Sequence, residues 1–387
     1  MQLTHAATRA RHHQSPQAIA VGALTWARKN AVLCIAILAA IVTSLIVPPD
    51  SAYLDYFDLK TLSCLFCTLA VVCALKNIRF FTILAHRIVK ATGNLRAAVL
   101  ALVMITFFGS MLIANDMALL TFLPLGFFVL SCTGQEKHMA FTFIMQNIAA
   151  NLGGMLTPFG NPQNLYLYSH FNIPNAEFVT IMAPPFALAT VMIVAACLVF
   201  VPKTSIAVAD REQKALPRGR TALYLALFAL SIAIVFRTIP YVVGLVAIPA
   251  VLLFADRKAL RQVDYPLLFT FVCFFIFSGN MARIDVVREF FSGLLERSVL
   301  VFSTLSCQAI SNVPSAILLS QFTDNYRELL LGVNIGGAGT LIASLASLIT
   351  FREYVSHNPG RAGAYIASFS AFNFTFLIVL LVFCYFV

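Results

Sequence analysis

From residue 31 to the carboxyl end, apolar runs alternate with short polar segments, and most runs approach the roughly 20 residues a helix needs to cross a hydrocarbon core. The pattern predicts membrane crossings at 31–47, 59–75, 138–170, 178–201, 221–237, 240–256, 264–280, 327–350 and 362–386. Two further apolar stretches, 97–131 and 298–322, carry a polar break at Asn115-Asp116 and Ser311-Asn312 and read as re-entrant hairpins. The crossings 138–170 and 327–350 contain the pairs Gly153-Gly154 and Gly336-Gly337 and read as unwound, broken helices. The expected fold is an all-α polytopic membrane protein with about nine crossings, two re-entrant hairpins and two broken helices.

The order of elements occurs twice. Residues 31–201 give two spans, a basic amphipathic stretch from Lys76 to Lys90, the hairpin 97–131, the broken helix 138–170 and a closing span. Residues 240–387 give two spans, a charged amphipathic stretch from Arg283 to Arg297, the hairpin 298–322, the broken helix 327–350 and a closing span. A loop and one connector span, 202–239, separate them. A single odd crossing turns the second half upside down relative to the first, which defines an inverted-topology repeat.

Composition agrees: 60% of the 387 residues are hydrophobic and only 11% are charged, far from a soluble domain. A formal charge of +10 would suggest nucleic acid in a soluble protein, but here its placement sets topology. No nucleic-acid partner is expected; the bilayer is the partner. With the amino end inside, the 26 Lys and Arg residues fall on the cytoplasmic side except Lys60, Arg237, Arg283, Arg288, Arg297 and Arg327. Arg283, Arg288 and Arg297 are offset by Asp285, Glu289 and Glu296 in the same outer segment. This places a cytoplasmic tail at 1–30, ending in Trp26-Ala27-Arg28-Lys29 at the headgroups, and the carboxyl end outside. The first apolar run reaches Val47-Pro48-Pro49-Asp50 without a cleavage site and reads as a retained span. The expected location is the plasma (inner) membrane.

The breaks carry the chemistry. Asn151-Leu152-Gly153-Gly154-Met155-Leu156-Thr157 and Asn334-Ile335-Gly336-Gly337-Ala338-Gly339-Thr340 match without a gap at Asn, both Gly and Thr. Gly160-Asn161 falls opposite Ala343-Ser344, and Ile113-Ala114-Asn115-Asp116 falls opposite Ile310-Ser311-Asn312-Val313. Paired Gly frees backbone carbonyls and amides that a ligand or a polar neighbour has to satisfy. A restarting half-helix presents unpaired N–H groups that favour an anion, and an ending one presents carbonyls that favour a cation. Pro314 suits the first turn after the second tip, and Pro158 and Pro162 delay the helix after Gly153-Gly154.

Asp116 is the one carboxylate placed well inside a membrane element, and such residues are functional by default. Either it binds the coupling cation or carries a proton, or it caps the hairpin's second arm. Gln146, Asn147, Gln308 and Asn373 read mainly as bonds between helices; His138 and His357 fall in loops. Cys64 and Cys67 lie within a span without a second pair or a His cluster, so neither a metal site nor a disulfide framework is implied. There is no G-x-S-x-G, no H-E-x-x-H, no phosphate loop and no intramembrane acid pair, so an enzyme is not expected.

With these motifs the chain resembles the ion transporter superfamily, which includes citrate and other carboxylate permeases, arsenite efflux pumps and sodium/proton antiporters. The resemblance implies a scaffold domain and a transport domain, with the site between two opposed hairpin tips and two unwound helices. It implies substrate contacts at Asn115, Asn161, Ser311, Asn312, Thr340 and Ser344. The coupling ion would use Asp116, Asn151, Gly153, Gly154, Thr157, Asn334, Gly336 and Gly337, with sodium the candidate there and no other cofactor. Sodium-coupled carboxylate carriers typically show Ser-Asn-Thr at both tips. Here the tips read Asn115-Asp116-Met117 and Ser311-Asn312-Val313, and the Asn-Asp pair is closer to the arsenite-pump and antiporter-like branches. The expected function is secondary transport of a small anion, a carboxylate or an inorganic oxyanion, by alternating access coupled to sodium or protons. The alternatives are an arsenite-type efflux carrier or sodium/proton antiporter and, further off, a channel. Such carriers often dimerise through the scaffold, so a homodimer is expected.

Overall fold

The computed structural model describes residues 30–206 and 215–386. The tail with Trp26, Arg28 and Lys29 and the loop cations Arg211 and Lys214 lie outside the described residues. The first half contains α1 (Ala31–Ile46), α2 (Leu59–Asn77), α3 (Phe80–Lys90), α4 (Leu95–Ile113), α5 (Asn115–Cys132), α6 (Met139–Gly153), α7 (Pro162–His170) and α8 (Asn175–Phe200). After the connector α9 (Arg218–Val235) come α10 (Tyr241–Ala255), α11 (Arg257–Arg261), α12 (Tyr265–Ala282), α13 (Asp285–Leu295), α14 (Val299–Ile310), α15 (Asn312–Leu319), α16 (Tyr326–Ile335), α17 (Leu345–His357) and α18 (Ala362–Phe386). The protein is an all-α polytopic membrane protein.

Among the described residues, α2, α4, α5, α8, α9, α12 and α18 are long and apolar enough to cross a membrane. Helices α1 and α10, of 16 and 15 residues, are apolar but shorter. The pairs α6/α7 and α16/α17 are the two interrupted helices. Helices α4 and α5 form the first hairpin, α14 and α15 the second. One boundary differs from the sequence reading: α17 continues past 350 to His357, which was expected in a loop. The extra turns are held by packing, since Tyr354 meets Phe143 of α6 and the His357 ring stacks on Phe127 of α5 at 3.7 Å.

Matching positions in the two halves use the same local chemistry. Asp58 and Asp264 accept from Thr61 and Leu267 N–H groups and start α2 and α12. Eight residues earlier in each case, Asp50 and Asp256 cap a short helix, and each is also held by the other half. Arg283, at the end of α12, forms a two-pronged pair with Asp50 at 3.0 and 2.7 Å. Asn77, at the end of α2, donates to Asp256 at 2.9 Å. The Arg283 guanidinium holds Asp50 below the usual carboxylate range. Asn94 and Ser298 start the first arms of the two hairpins.

Cross-pairing between halves organises the packing. Helix α1 lies on α12 and α10 lies on α2. Within the second layer, α7 leaves its own hairpin and packs on α15 and α16, while α17 packs on α5 and α6. The breaks make this exchange, because a helix that stops and restarts can change direction where a continuous one cannot. Both hairpin tips end at these breaks, inside the molecule. Asn115 bonds to Asn151 in the last turn of α6, with α7, about 13 Å of helix, still to run.

Candidate functional site

At each hairpin tip the chain reverses through one residue. Ala114 has φ 63° and ψ 153°, and Ser311 has φ 75° and ψ 159°. Only glycine occupies this region readily; other residues there cost on the order of 1–3 kcal/mol each and persist where surrounding structure imposes them. The following Asn completes both turns identically. Asn115 Oδ1 accepts from the Asp116 N–H at 2.9 Å, and Asn312 Oδ1 accepts from the Val313 N–H at 2.9 Å. Asp116 does not cap α5: its own N–H is taken by Asn115, and its buried Oδ1 has no hydrogen-bond partner.

Each tip is fastened to its own break. Thr157 Oγ1 donates to the Met111 carbonyl at 2.9 Å, and Thr340 Oγ1 donates to the Gln308 carbonyl at 3.1 Å. Met111 and Gln308 stand at the same distance before their tips, so these are one contact made twice. Gly153 allows α6 to approach α4, because a Cβ there would run into the Phe107 carbonyl. Gly339, at φ 121°, needs glycine for its backbone alone.

The two break asparagines bind the halves together. Asn151 Oδ1 accepts from Asn115 Nδ2 at 3.1 Å and from Ser344 Oγ, in the other half, at 2.8 Å. Asn334 Oδ1 accepts from Asn161 Nδ2 at 3.3 Å, the residue that corresponds to Ser344. Asn334 Nδ2 donates to Asn164 Oδ1 at 2.6 Å. Asn161 and Ser344 share an extended backbone, φ −137° and −147°, and precede α7 and α17.

A cavity of about 700 Å³ opens over this hub. Its polar floor contains Asn115, Asp116, Gln163, Ser311, Asn312 and Ser344, and its walls are Leu, Ile, Phe and Val from α1, α12, α13, α14 and α17. Among the described residues, Asp116 is the only charged side chain on its lining. The first residues of α5, α7 and α15 and the cap of α17 all reach the cavity. Four helix N-termini, with their positive dipole ends, therefore lie at one cavity, although most of their first-turn N–H groups already have partners: Asp116 and Val313 donate to the preceding Asn, Asn312 to the Ala343 carbonyl and Ala346 to Ser344 Oγ.

Of the residues expected to meet substrate, Asn115, Ser311, Asn312 and Ser344 line the cavity. Asn161 and Thr340 lie behind the floor and bond to Asn334 and Gln308. Of the expected coupling-ion residues, Asp116 lines the cavity, Asn151 and Asn334 form the hub, Thr157 fastens the tip, and Gly153, Gly154, Gly336 and Gly337 form the breaks. Gln163, Asn164 and Gln308 escaped the site reading. Gln163 is buried on the cavity floor, Asn164 Nδ2 reaches the Gly154, Met155 and Thr157 carbonyls at 3.2–3.3 Å, and Gln308 reaches the second break. The signal was present in Gly160-Asn161-Pro162-Gln163-Asn164, where three amides surround a helix-starting proline. Gln146 donates to Thr106 and Phe122 and joins the hairpin arms, and Asn147 donates to Asn373. Cys64 and Cys67 are buried in α2, and no group of His, Cys, Asp and Glu able to hold a metal ion occurs among the described residues.

A family profile described as citrate transporter matches residues 19–326. An uncharacterised transporter of Methanocaldococcus jannaschii is 32% identical over 309 residues, covering 79% of this chain and 84% of that protein. The inner membrane protein YbiR of Escherichia coli is 28% identical over 280 residues, covering 70% of this chain and 74% of that protein. An uncharacterised transporter of Haemophilus influenzae is 35% identical over 117 residues, 29% of this chain and 25% of that protein.

Proposed function

For this chain, which belongs to the citrate transporter family within the ion transporter superfamily and is a membrane transporter, we propose secondary transport of a small anion, a carboxylate or an inorganic oxyanion. The observation that carries this reading is the convergence of four helix N-termini on a cavity that, among the described residues, has no Lys, Arg or His on its lining. Fixed backbone dipoles attract an anion there while leaving it free to depart, as a carrier requires. Family membership points away from an enzyme.

Asp116 shares the cavity with that anion; it is half-buried, and its buried Oδ1, which lacks a hydrogen-bond donor, makes the charged form costly. A proton or a sodium ion on Asp116 removes the cost and links its movement to that of the anion. Gln163 Oε1, an unpartnered oxygen of a residue on the same lining, supplies a further cation ligand. The transport cycle is alternating access between the crossed halves, read as inverted repeats with re-entrant hairpins. The amino end is cytoplasmic, the carboxyl end is outside, the location is the inner membrane and the assembly is a homodimer. A second reading, an uncharged hydroxide such as arsenous acid exchanged for a proton, draws on the apolar walls and on a lining without basic side chains among the described residues.

Purified protein in liposomes should take up one of a panel of carboxylates and oxyanions saturably, with stimulation by trans substrate; flux that rises linearly with concentration would mark a channel instead. Asp116→Asn should lower coupled uptake about tenfold or more, the scale expected for neutralising a functional intramembrane charge. Unchanged pH and sodium dependence in that variant would sink the coupling role.

A further inference from the structure

The two halves fill the space between tip and break differently. In the second half, Gln308 Nε2 donates to the carbonyls of Gly336 at 2.8 Å, Ala338 at 3.2 Å and Thr304 at 3.2 Å. Its Oε1 accepts from the Thr340 N–H at 2.9 Å. With carbonyls on one side and an N–H on the other, the amide has one satisfying orientation. Gly339 keeps its place open, since a Cβ there would overlap Oε1.

In the first half the matching residue is Met111, fixed as the counterpart by the Thr157 bond to its carbonyl. A thioether donates nothing. Among the described residues, no side chain of the first hairpin reaches the first-half break carbonyls as Gln308 does in the second half; the Gly154, Met155 and Thr157 carbonyls receive the Asn164 amide from the α7 side at 3.2–3.3 Å, and Thr157 also accepts from the Gly160 N–H. Oxygens without a donor also gather in this half: Asp116 Oδ1, Gln146 Oε1, Asn147 Oδ1, Asn161 Oδ1 and Gln163 Oε1. Among the described residues, the tip, break and hairpin arms of the second half have no such amide or carboxylate oxygen.

We propose that Gln308 is a built-in substitute for a second coupling cation, its amide N–H groups taking the carbonyls that a cation would otherwise bind. Resting on the coupled-carrier reading above, this leaves one cation site, in the first half, and a coupling stoichiometry of one. The second break is sealed by a neutral donor that never dissociates, so it holds its shape through the cycle without a bound ion.

The test is a sodium titration of the purified full-length protein by thermal shift, with choline replacing sodium at constant ionic strength. Gln308→Met installs the side chain found at the matching first-half position; Gln308→Ser opens the space and leaves an oxygen. Each should acquire a sodium-dependent rise in melting temperature of about 2 °C by ~100 mM sodium, beyond the wild-type response. The gain should persist when Asp116→Asn is added, because the sites are separate. If both variants melt cooperatively and respond to sodium no more than wild type, the proposal is overturned. Should they fail to melt cooperatively, Gln308→Glu, of equal size and acceptor-only when ionised, decides: a strong sodium response supports the proposal and none refutes it. Failure of the carrier reading would appear separately, as absence of uptake in liposomes with the sodium titration unaffected.

Discussion

Gly153 and Asp116 are single residues whose neighbours set their meaning. At Gly153 an added Cβ would meet the backbone carbonyl of Phe107, which cannot swing aside as a side chain can. Gly153→Ala should therefore cost about 1–3 kcal/mol from overpacking, read as a lower melting temperature. Gly93→Ala, where a Cβ meets nothing within 4 Å, should melt as wild type does. Equal effects of the two would remove the close-approach explanation. Asp116 and Val313 each donate their N–H to the preceding Asn in the same geometry, so the difference between the tips at this position is chemical rather than conformational. That difference was readable from the aligned tips alone. The missing partner of Asp116 Oδ1 was not, because a carboxylate at a helix start ordinarily accepts from a nearby backbone N–H, and only the structure shows the Asp116 N–H taken by Asn115 and Oδ1 left without a donor.

At the scale of elements, the hairpin tips store strain at Ala114 and Ser311. Replacing either with Gly should relieve on the order of 1–3 kcal/mol, less about 0.5–1 kcal/mol for glycine's greater loss of chain freedom. The melting temperature should rise while uptake slows, because a looser tip positions the Asn less firmly; a fall in melting temperature would show that the backbone there is unstrained. The two halves are also clasped by Arg283 and Asp50. Because Asp50 is held below its ordinary value of 3.8, this pair stabilises the fold above that pH and loses its contribution as pH falls through the lowered value. Arg283→Gln should reduce the melting temperature slightly at neutral pH, since the pair is exposed. The difference from wild type should vanish well below pH 3.8. Hairpins, broken helices and amphipathic stretches were legible in the sequence, because lipid forces apolar runs to match its thickness and confines polar breaks to protein interiors. The matched Asp50/Asp58 and Asp256/Asp264 caps were equally available at one spacing, yet they lie in short polar loops where hydropathy has no period to follow.

For the whole molecule, charge placement puts the exposed Cys132, at the end of α5, on the cytoplasmic side with Lys137. A membrane-impermeant maleimide should label Cys132 from the cytoplasm, and a carboxyl-terminal tag should be reached from outside; the opposite pattern would reverse the orientation. The sequence by itself determined an all-α membrane protein, the near-identical order of elements in its two halves, and Asn, Gly and Thr at both breaks. Those features rest on local composition and spacing, which the bilayer and the helix period convert directly into structure. Only the tertiary structure decided that α7 packs on the second hairpin and α17 on the first, and that four helix starts meet at one cavity. It also decided that Asn161 and Thr340 stand behind that cavity's floor while Gln163 lies on it. These contacts join residues more than 100 positions apart, and a hydrogen bond of about 3 Å depends on the direction in which each broken helix restarts. That direction is set by the packing of the other half, which no stretch of either half contains.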